Sequence, residues 1–153
     1  MKIKAIQIRN IIFWAIVVIF AALVAGITKR WFFCGHRMPL LVFAVIAIIF
    51  CALAITLLVL TLKLKEPLIR RIFFILTGAS AAGIPICVIL HNLVYGLLIA
   101  WFGRDFWGKG GDEPVFFILA VLVCPALFAV GMLGSIVLLI SDRLRKKELS
   151  GSI

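Results

Sequence analysis

Three polar side chains inside one long apolar stretch are the residues best suited to chemistry: His91, Asn92 and Tyr95. They interrupt a run from Ile72 to Gly103 that contains no Asp, Glu, Lys or Arg. Four positions separate His91 from Tyr95, which places both on one face of a helix. Histidine titrates near neutral pH and tyrosine carries a hydroxyl, so these residue types favour a hydrogen-bonded cluster, a proton site or a small-ligand site.

Two carboxylates follow later in the chain, and a helical hairpin would bring them back beside this cluster. Asp112 and Glu113 stand directly before the next apolar run, so antiparallel helices bring them to the level of His91. We therefore expect the imidazole to contact a carboxylate. The candidate polar pocket comprises five residues: His91, Asn92, Tyr95, Asp112 and Glu113.

Three interpretations of this cluster stay open. The first, which we favour, is a structural clasp between two helix ends, with Asp112 or Glu113 also capping the helix that follows. The second is a small-molecule or proton site. The third is a zinc site, in which Cys34 and His36 would join His91 and Glu113, although only the Cys34-x-His36 pair is local.

The remaining residues offer little catalytic chemistry. The chain has four cysteines but no Cys-x-x-Cys pair, and no nucleophile–base pair on which to base a catalytic prediction. Residues 103–109 match the Gly-x4-Gly-Lys pattern of a phosphate-binding loop, but Gly110 stands where Ser or Thr should hold magnesium, and no strand precedes the loop. We therefore predict a protein that is not an enzyme, with no catalytic residue, no cofactor and no metal.

The amino-acid composition indicates whether the segments that carry these residues face water or lipid. Of the 153 residues, 65% are hydrophobic and 14% are charged, and the mean hydropathy is +1.29. Soluble domains are about half apolar and a quarter charged, so an ordinary soluble enzyme, a disordered regulator and a disulfide-built secreted domain are excluded. The net charge of +10 comes from short basic clusters between apolar runs, which favours orientation in a bilayer over nucleic acid binding.

Four runs without Asp, Glu, Lys or Arg each exceed or approach the roughly 20 residues that a helix needs to cross a bilayer. They predict spans at about 10–28, 39–62, 72–99 and 114–140. Backbone hydrogen bonds in lipid must close within a segment, which favours helices. Short connections leave no room for a soluble domain, so we predict an all-α integral membrane four-helix bundle, a single domain over 1–153 with a basic tail at 142–153.

The distribution of basic residues predicts the orientation. Eleven of the 16 Lys and Arg residues stand at the N-terminus, in the second loop or in the tail, which favours a multi-pass protein of the cell membrane with both termini in the cytoplasm. The basic tail is expected to attract anionic lipid. Two aromatic clusters are expected at the external boundary: Trp31, Phe32 and Phe33, and Trp101, Phe102, Phe106 and Trp107.

Small residues at four-residue spacing predict close helix packing, because lipid supplies no hydrophobic force between helices. The candidates in the third and fourth spans are Gly78, Ala79, Ala82, Gly83, Gly131 and Ser135. They indicate packing within the bundle or, alternatively, a homo-oligomer or a partner helix. Pro85 and Pro125 are expected to kink these two spans.

The functional prediction follows from these patterns. We expect a small polytopic membrane protein that acts without catalysis, as an accessory or interaction subunit, through helix packing. The alternative is a transport or small-ligand binding protein, whose external-facing pocket would contain His91, Asn92, Tyr95 and Glu113.

Overall fold

Five α-helices and two short helical turns account for nearly all of the part of the chain that the structure describes. This computed structural model describes residues 2–32, 40–108 and 111–151. The helices are α1 (Lys2–Phe32), α2 (Leu40–Lys63), α3 (Leu68–Phe102), α4 (Pro114–Ile118) and α5 (Cys124–Gly151). A 3₁₀ turn (Arg104–Trp107) follows α3, and a π-helical turn (Leu119–Val123) joins α4 to α5 in one rod.

The predicted fold class is confirmed. Four helical segments are long and apolar enough to cross a membrane: Ile3–Gly26, Ala44–Lys63, Leu68–Phe102 and Pro114–Arg145. Within the described ranges the chain is all-α, without strands. The helices extend beyond the predicted spans, and α5 carries the predicted basic tail as helix through Gly151. Helices continue past the edge of lipid because their hydrogen bonds close internally in either solvent.

Helix α3 lies at the centre of the bundle. It packs along α2 on one side and along α5 on the other, while α1 rests mainly on α2. Aromatic rings fill the interior, where Phe74 stands edge-on to Phe13 and Phe128 lies 4.4 Å from Phe20 between ring centroids. The contact between Phe20 and Phe128 joins α1 to the α5 side at mid-height, but the two helices approach each other little elsewhere.

The two prolines have different local effects. Pro85 lies inside an unbroken α3. Pro125 follows the π-helical turn, whose last hydrogen bond runs from the Cys124 N–H to the Leu119 carbonyl. Because Pro125 lacks an N–H, it cannot donate to the carbonyl of Val121, and the wider turn accommodates the lost bond.

Most of the predicted small residues contact neighbouring helices of the same chain. A Cβ on Gly78 would stand 3.2 Å from the Ala54 carbonyl oxygen, and a Cβ on Gly131 would stand 2.7 Å from the Thr77 amide. Gly83 faces the sulfur of Cys124, while Ala82 and Ser135 are buried. Ala79 alone among the six points outward and is exposed. These small residues let α2 and α5 approach α3 closely.

Polar contacts occur at two levels of the bundle. At the end where α1 begins and α5 ends, here called the basic end, Arg9 pairs with Glu66 and Arg70 pairs with Asp142. At the opposite end, His91 contacts Glu113. Arg70 and His91 are 21 residues apart on α3, roughly 31 Å at 1.5 Å per residue. This separation matches a hydrocarbon core about 30 Å thick.

Candidate functional site

Glu113 caps the helix α4 at its N-terminus. Its Oε1 accepts hydrogen bonds from the amides of Val115 at 2.8 Å and Phe116 at 3.2 Å, and its Oε2 accepts from Phe116 at 2.9 Å. Pro114 occupies the first helical position, where the absent N–H costs no hydrogen bond. The carboxylate thereby satisfies helix N–H groups that have no partner within the helix. The cap holds the Glu113 carboxylate at the start of α4, at the end of the bundle opposite the basic end.

His91 reaches from α3 to the same carboxylate. Its Nδ1 lies 3.0 Å from the backbone oxygen and 3.2 Å from Oε2 of Glu113. Both partners only accept hydrogen bonds when Glu113 is ionised, so Nδ1 carries the proton and donates. The other nitrogen, Nε2, lies 3.6 Å from Oδ2 of Asp112. Asp112 in turn accepts a hydrogen bond from the Glu113 amide at 2.8 Å. His91 and Glu113 are therefore bonded directly, and Asp112 joins them through the backbone amide of Glu113.

The environment of Glu113 favours its charged form. Burial raises the pKa of this carboxyl, but hydrogen bonds from His91 and from the backbone amides of Val115, Phe116 and Phe117 outweigh it, so the pKa lies below the ordinary value. The residue is only 4% exposed, so these donors replace most of the water around its oxygens. An ionised Glu113 also suits the positive end of the α4 dipole.

This arrangement ties α3 to α4. The polar atoms of His91 and Glu113 bond to each other and to the backbone, and the Phe117 ring packs 5.7 Å from the imidazole between centroids. Within the described residues, no group of three or more His, Cys, Asp or Glu side chains is arranged to hold a metal ion. Cys34 and His36, which the zinc interpretation requires, lie outside the described residues. The geometry is that of a helix clasp.

The other two residues of the predicted pocket lie apart from the clasp. The Asn92 side chain donates to the Val88 carbonyl at 2.8 Å on its own helix and is exposed on the outside of the bundle. Tyr95 stacks on Trp107 of the 3₁₀ turn, with ring centroids 6.0 Å apart. Chain spacing placed Tyr95 on the face of His91, but the returning loop covers that ring.

The loop between α3 and α4 folds back along α3. Gly103 and Gly108 flank the 3₁₀ turn with φ of +88° and +69°, a region that side chains other than glycine rarely occupy. Phe106 stacks on Phe102, with centroids 5.1 Å apart. Of the predicted interfacial aromatic clusters, this second one therefore packs partly on itself. Phe33 and the side chains of Trp31 and Phe32 lie outside the described part of the chain.

The basic end holds a second polar cluster that was not predicted from the sequence. Arg9 is fully buried, pairs with Glu66, donates a hydrogen bond to Asn10 Oδ1 at 3.0 Å, and lies 3.9 Å above the Phe74 ring. Arg70 bridges Glu66, at 3.8 Å, and Asp142. This cluster ties α1 to the α2–α3 loop and α3 to α5. The available signal was that Glu66 and Asp142 are isolated acids on the side rich in Lys and Arg.

The clasp predicts an acid-sensitive contribution to stability. A carboxyl whose folded pKa is lowered stabilises the fold above its unfolded pKa, about 4.3, and loses that contribution as pH falls through the folded value. We expect the thermal midpoint of the detergent-purified protein to fall from pH 6 toward pH 3, and Glu113→Gln to flatten this fall. Asp105→Asn, which removes an exposed acid at the same end, is the control. Equal slopes in both variants would contradict the assignment.

The four apolar helices of spanning length make this chain a multi-pass membrane protein. The clasp joins the consecutive helices α3 and α4, whereas the ion pairs of the basic cluster join residues 57 and 72 positions apart. Comparison with family models, curated proteins and solved structures gave no match to the chain.

Proposed function

We propose that this protein is a non-enzymatic subunit of a membrane assembly, and that it binds a second helix through the outward face of α3. The surface comprises residues 92–102, here called the α3 extension. These 11 residues follow the clasp and continue roughly 16 Å beyond it at 1.5 Å per residue. The single observation that carries the proposal is the exposed amide of Asn92 on the otherwise apolar outward face of the α3 extension.

Asn92 begins a row suited to close helix contact. Gly96 and Ala100 follow at intervals of four, and all three residues are exposed on the same side of α3. Apart from the backbone of α3 itself, no atom of the described residues lies within 4 Å of the position that a Cβ on Gly96 would occupy. Small residues allow another backbone to approach, and an Asn amide at the edge of the hydrocarbon core gains from a partner that can hydrogen-bond it. The flanking side chains of Leu93 and Leu97 are exposed apolar groups that a second helix would cover.

The small-residue segment 78–83, which the sequence suggested for contact between molecules, instead contacts neighbouring helices of the same chain. Gly78 contacts α2, and Gly83 contacts Cys124. A second helix would have to displace these neighbours to reach either glycine. The outward face of the α3 extension needs no such displacement, which supports it as the contact surface.

The occupant that this row fits is a second copy of the same chain. An Asn amide is both a donor and an acceptor, so two copies related by a twofold axis satisfy each other with the same side chain. The charge distribution supports this pairing, because 11 of the 16 Lys and Arg residues belong to the other end of the molecule. Repulsion between copies is therefore weakest near the extension.

Association in lipid tests the proposal. We expect donor- and acceptor-labelled copies in phosphatidylcholine liposomes to show energy transfer that persists on dilution with lipid. Asn92→Leu and Gly96→Leu should each weaken association about three- to tenfold, the range for losing one interhelical hydrogen bond or close contact of roughly 0.6–1.4 kcal/mol. Among the described residues Asn92 bonds only to its own helix and Gly96 faces open space, so these variants should keep the fold.

Ala79→Leu is the matched control, because Ala79 is also an exposed small residue on α3 but lies outside the row. It should leave association unchanged. A monomeric wild-type protein, or an equal loss in Ala79→Leu, would overturn the proposal. A transport or ligand-binding function would need His91 and Glu113 to face a ligand, whereas their bonding to each other supports the interaction function.

A further inference from the structure

A cleft opens between α1 and α5 at the basic end of the bundle. Its volume is about 930 Å³, within the range of roughly 300–1,000 Å³ that small-ligand pockets occupy. The cleft exists because α1 rests on α2 and approaches α5 closely only near the Phe20–Phe128 contact. It lies at the end of the molecule opposite the α3 extension, so it does not depend on the proposed assembly.

The polar wall of the cleft carries an excess of positive charge. Four arginines line it, Arg9, Arg70, Arg143 and Arg145, together with a single acid, Asp142. The acids Glu66 and Asp142 pair with Arg9 and Arg70. Arg143 and Arg145 are exposed, and no ion pair to either is found among the described residues. Two guanidinium groups are therefore available for an anion, and guanidinium groups match phosphate geometry.

The other wall is apolar and opens sideways toward lipid. It includes Ile11, Trp14, Leu139 and Ile140. Ile11 is 67% exposed and Trp14 is 44% exposed, so the cleft is reached from the side of the bundle. A free phosphate would use the arginines and leave this apolar wall uncovered. An amphiphile with a phosphate head and acyl chains covers both walls.

We propose that this cleft is a binding site for one anionic phospholipid, with its phosphate at Arg143 and Arg145 and its acyl chains along Trp14 and Ile140. The site is more specific than a general attraction of the basic tail to a charged surface, because it requires the space between α1 and α5. In the predicted orientation the lipid comes from the cytoplasmic leaflet. Its headgroup would lie at the level of the Arg9–Glu66 pair.

Native mass spectrometry of the full chain in a nonionic detergent tests this site with dioleoylphosphatidylglycerol and dioleoylphosphatidylcholine. We expect one phosphatidylglycerol to bind in preference to phosphatidylcholine. The double variant Arg143→Gln/Arg145→Gln should weaken phosphatidylglycerol binding at least about tenfold, since each basic residue near an anionic lipid contributes on the order of 1 kcal/mol. The control is Lys63→Gln/Lys65→Gln, which removes the same charge from exposed residues at the same end but outside the cleft.

A second pair of variants changes the space and keeps the charge. Ile140→Trp places a larger side chain in the cleft and should reduce phosphatidylglycerol binding, whereas Val137→Trp, an exposed position on α5 outside the cleft, should not. Equal losses in the arginine and lysine doubles, or an unaffected Ile140→Trp, would reduce the effect to diffuse attraction and overturn the site. Displacement of the lipid by millimolar inorganic phosphate would assign the arginines to a free anion instead.

Discussion

Replacing Glu66 by alanine is expected to destabilise the folded bundle by about 3–5 kcal/mol, the cost of leaving a buried charge without its partner. Arg9 is 0% exposed and depends on this carboxylate for its charge balance. The ring of Phe74 beneath it provides a cation–π contact but no counter-charge. A loss of this size should lower the thermal midpoint markedly in nonionic detergent, where fluorescence or circular dichroism follows unfolding.

A double variant separates the unpaired charge from a general loss of packing. Arg9→Met/Glu66→Ala removes both charges, so it should recover much of the stability that Glu66→Ala alone loses. Glu148→Ala, which removes an exposed acid at the same end, should leave the midpoint nearly unchanged. If the double variant is as unstable as the single one, the Arg9–Glu66 pair is not the origin of the effect.

Gly131→Ala should produce the second large effect. Its added Cβ would stand 2.7 Å from both the amide and the hydroxyl of Thr77, and 3.2 Å from the Leu76 carbonyl carbon. These are largely backbone atoms that cannot turn away, so α5 must move from α3. Overpacking of this kind costs about 1–3 kcal/mol.

The matched control is Gly26→Ala on α1, where no atom of a neighbouring element in the described part of the chain lies within 4 Å of the added carbon. In that open position alanine should be neutral or stabilise the helix by up to about 1 kcal/mol. Chemical unfolding of both variants in the same detergent gives the comparison. Similar midpoints for Gly131→Ala and Gly26→Ala would show that α3 and α5 do not meet at Gly131.

Much of the fold could be predicted because lipid imposes a simple rule on sequence. Charges are costly in the hydrocarbon layer and backbone polar groups must be satisfied internally, so each long uncharged run indicates a membrane-spanning helix. Four such runs therefore indicate a bundle of four helices. The helix ends were less predictable. α3 continues to Phe102, beyond its predicted end, because a helix needs no lipid to close its own hydrogen bonds.

The candidate site was predictable only where chain order determined proximity. Asp112 and Glu113 begin the helix that returns beside α3, and the structure brings them to His91. The surroundings of Asn92 and Tyr95 depended on which side of α3 faces its neighbours. Asn92 faces outward, and Tyr95 lies under Trp107 of the returning loop. Neither outcome follows from spacing along one helix.

The sequence alone determined that the chain is helical and apolar and has four membrane-spanning segments, because these features depend on local composition and on the solvent. Only the tertiary structure decided which polar groups meet. Arg9 and Glu66 are 57 residues apart, and Arg70 and Asp142 are 72 residues apart. Their pairing depends on the rotation and tilt of whole helices. Those are set by small residues such as Gly131, where a backbone approach of a few ångströms determines how α3 and α5 pack.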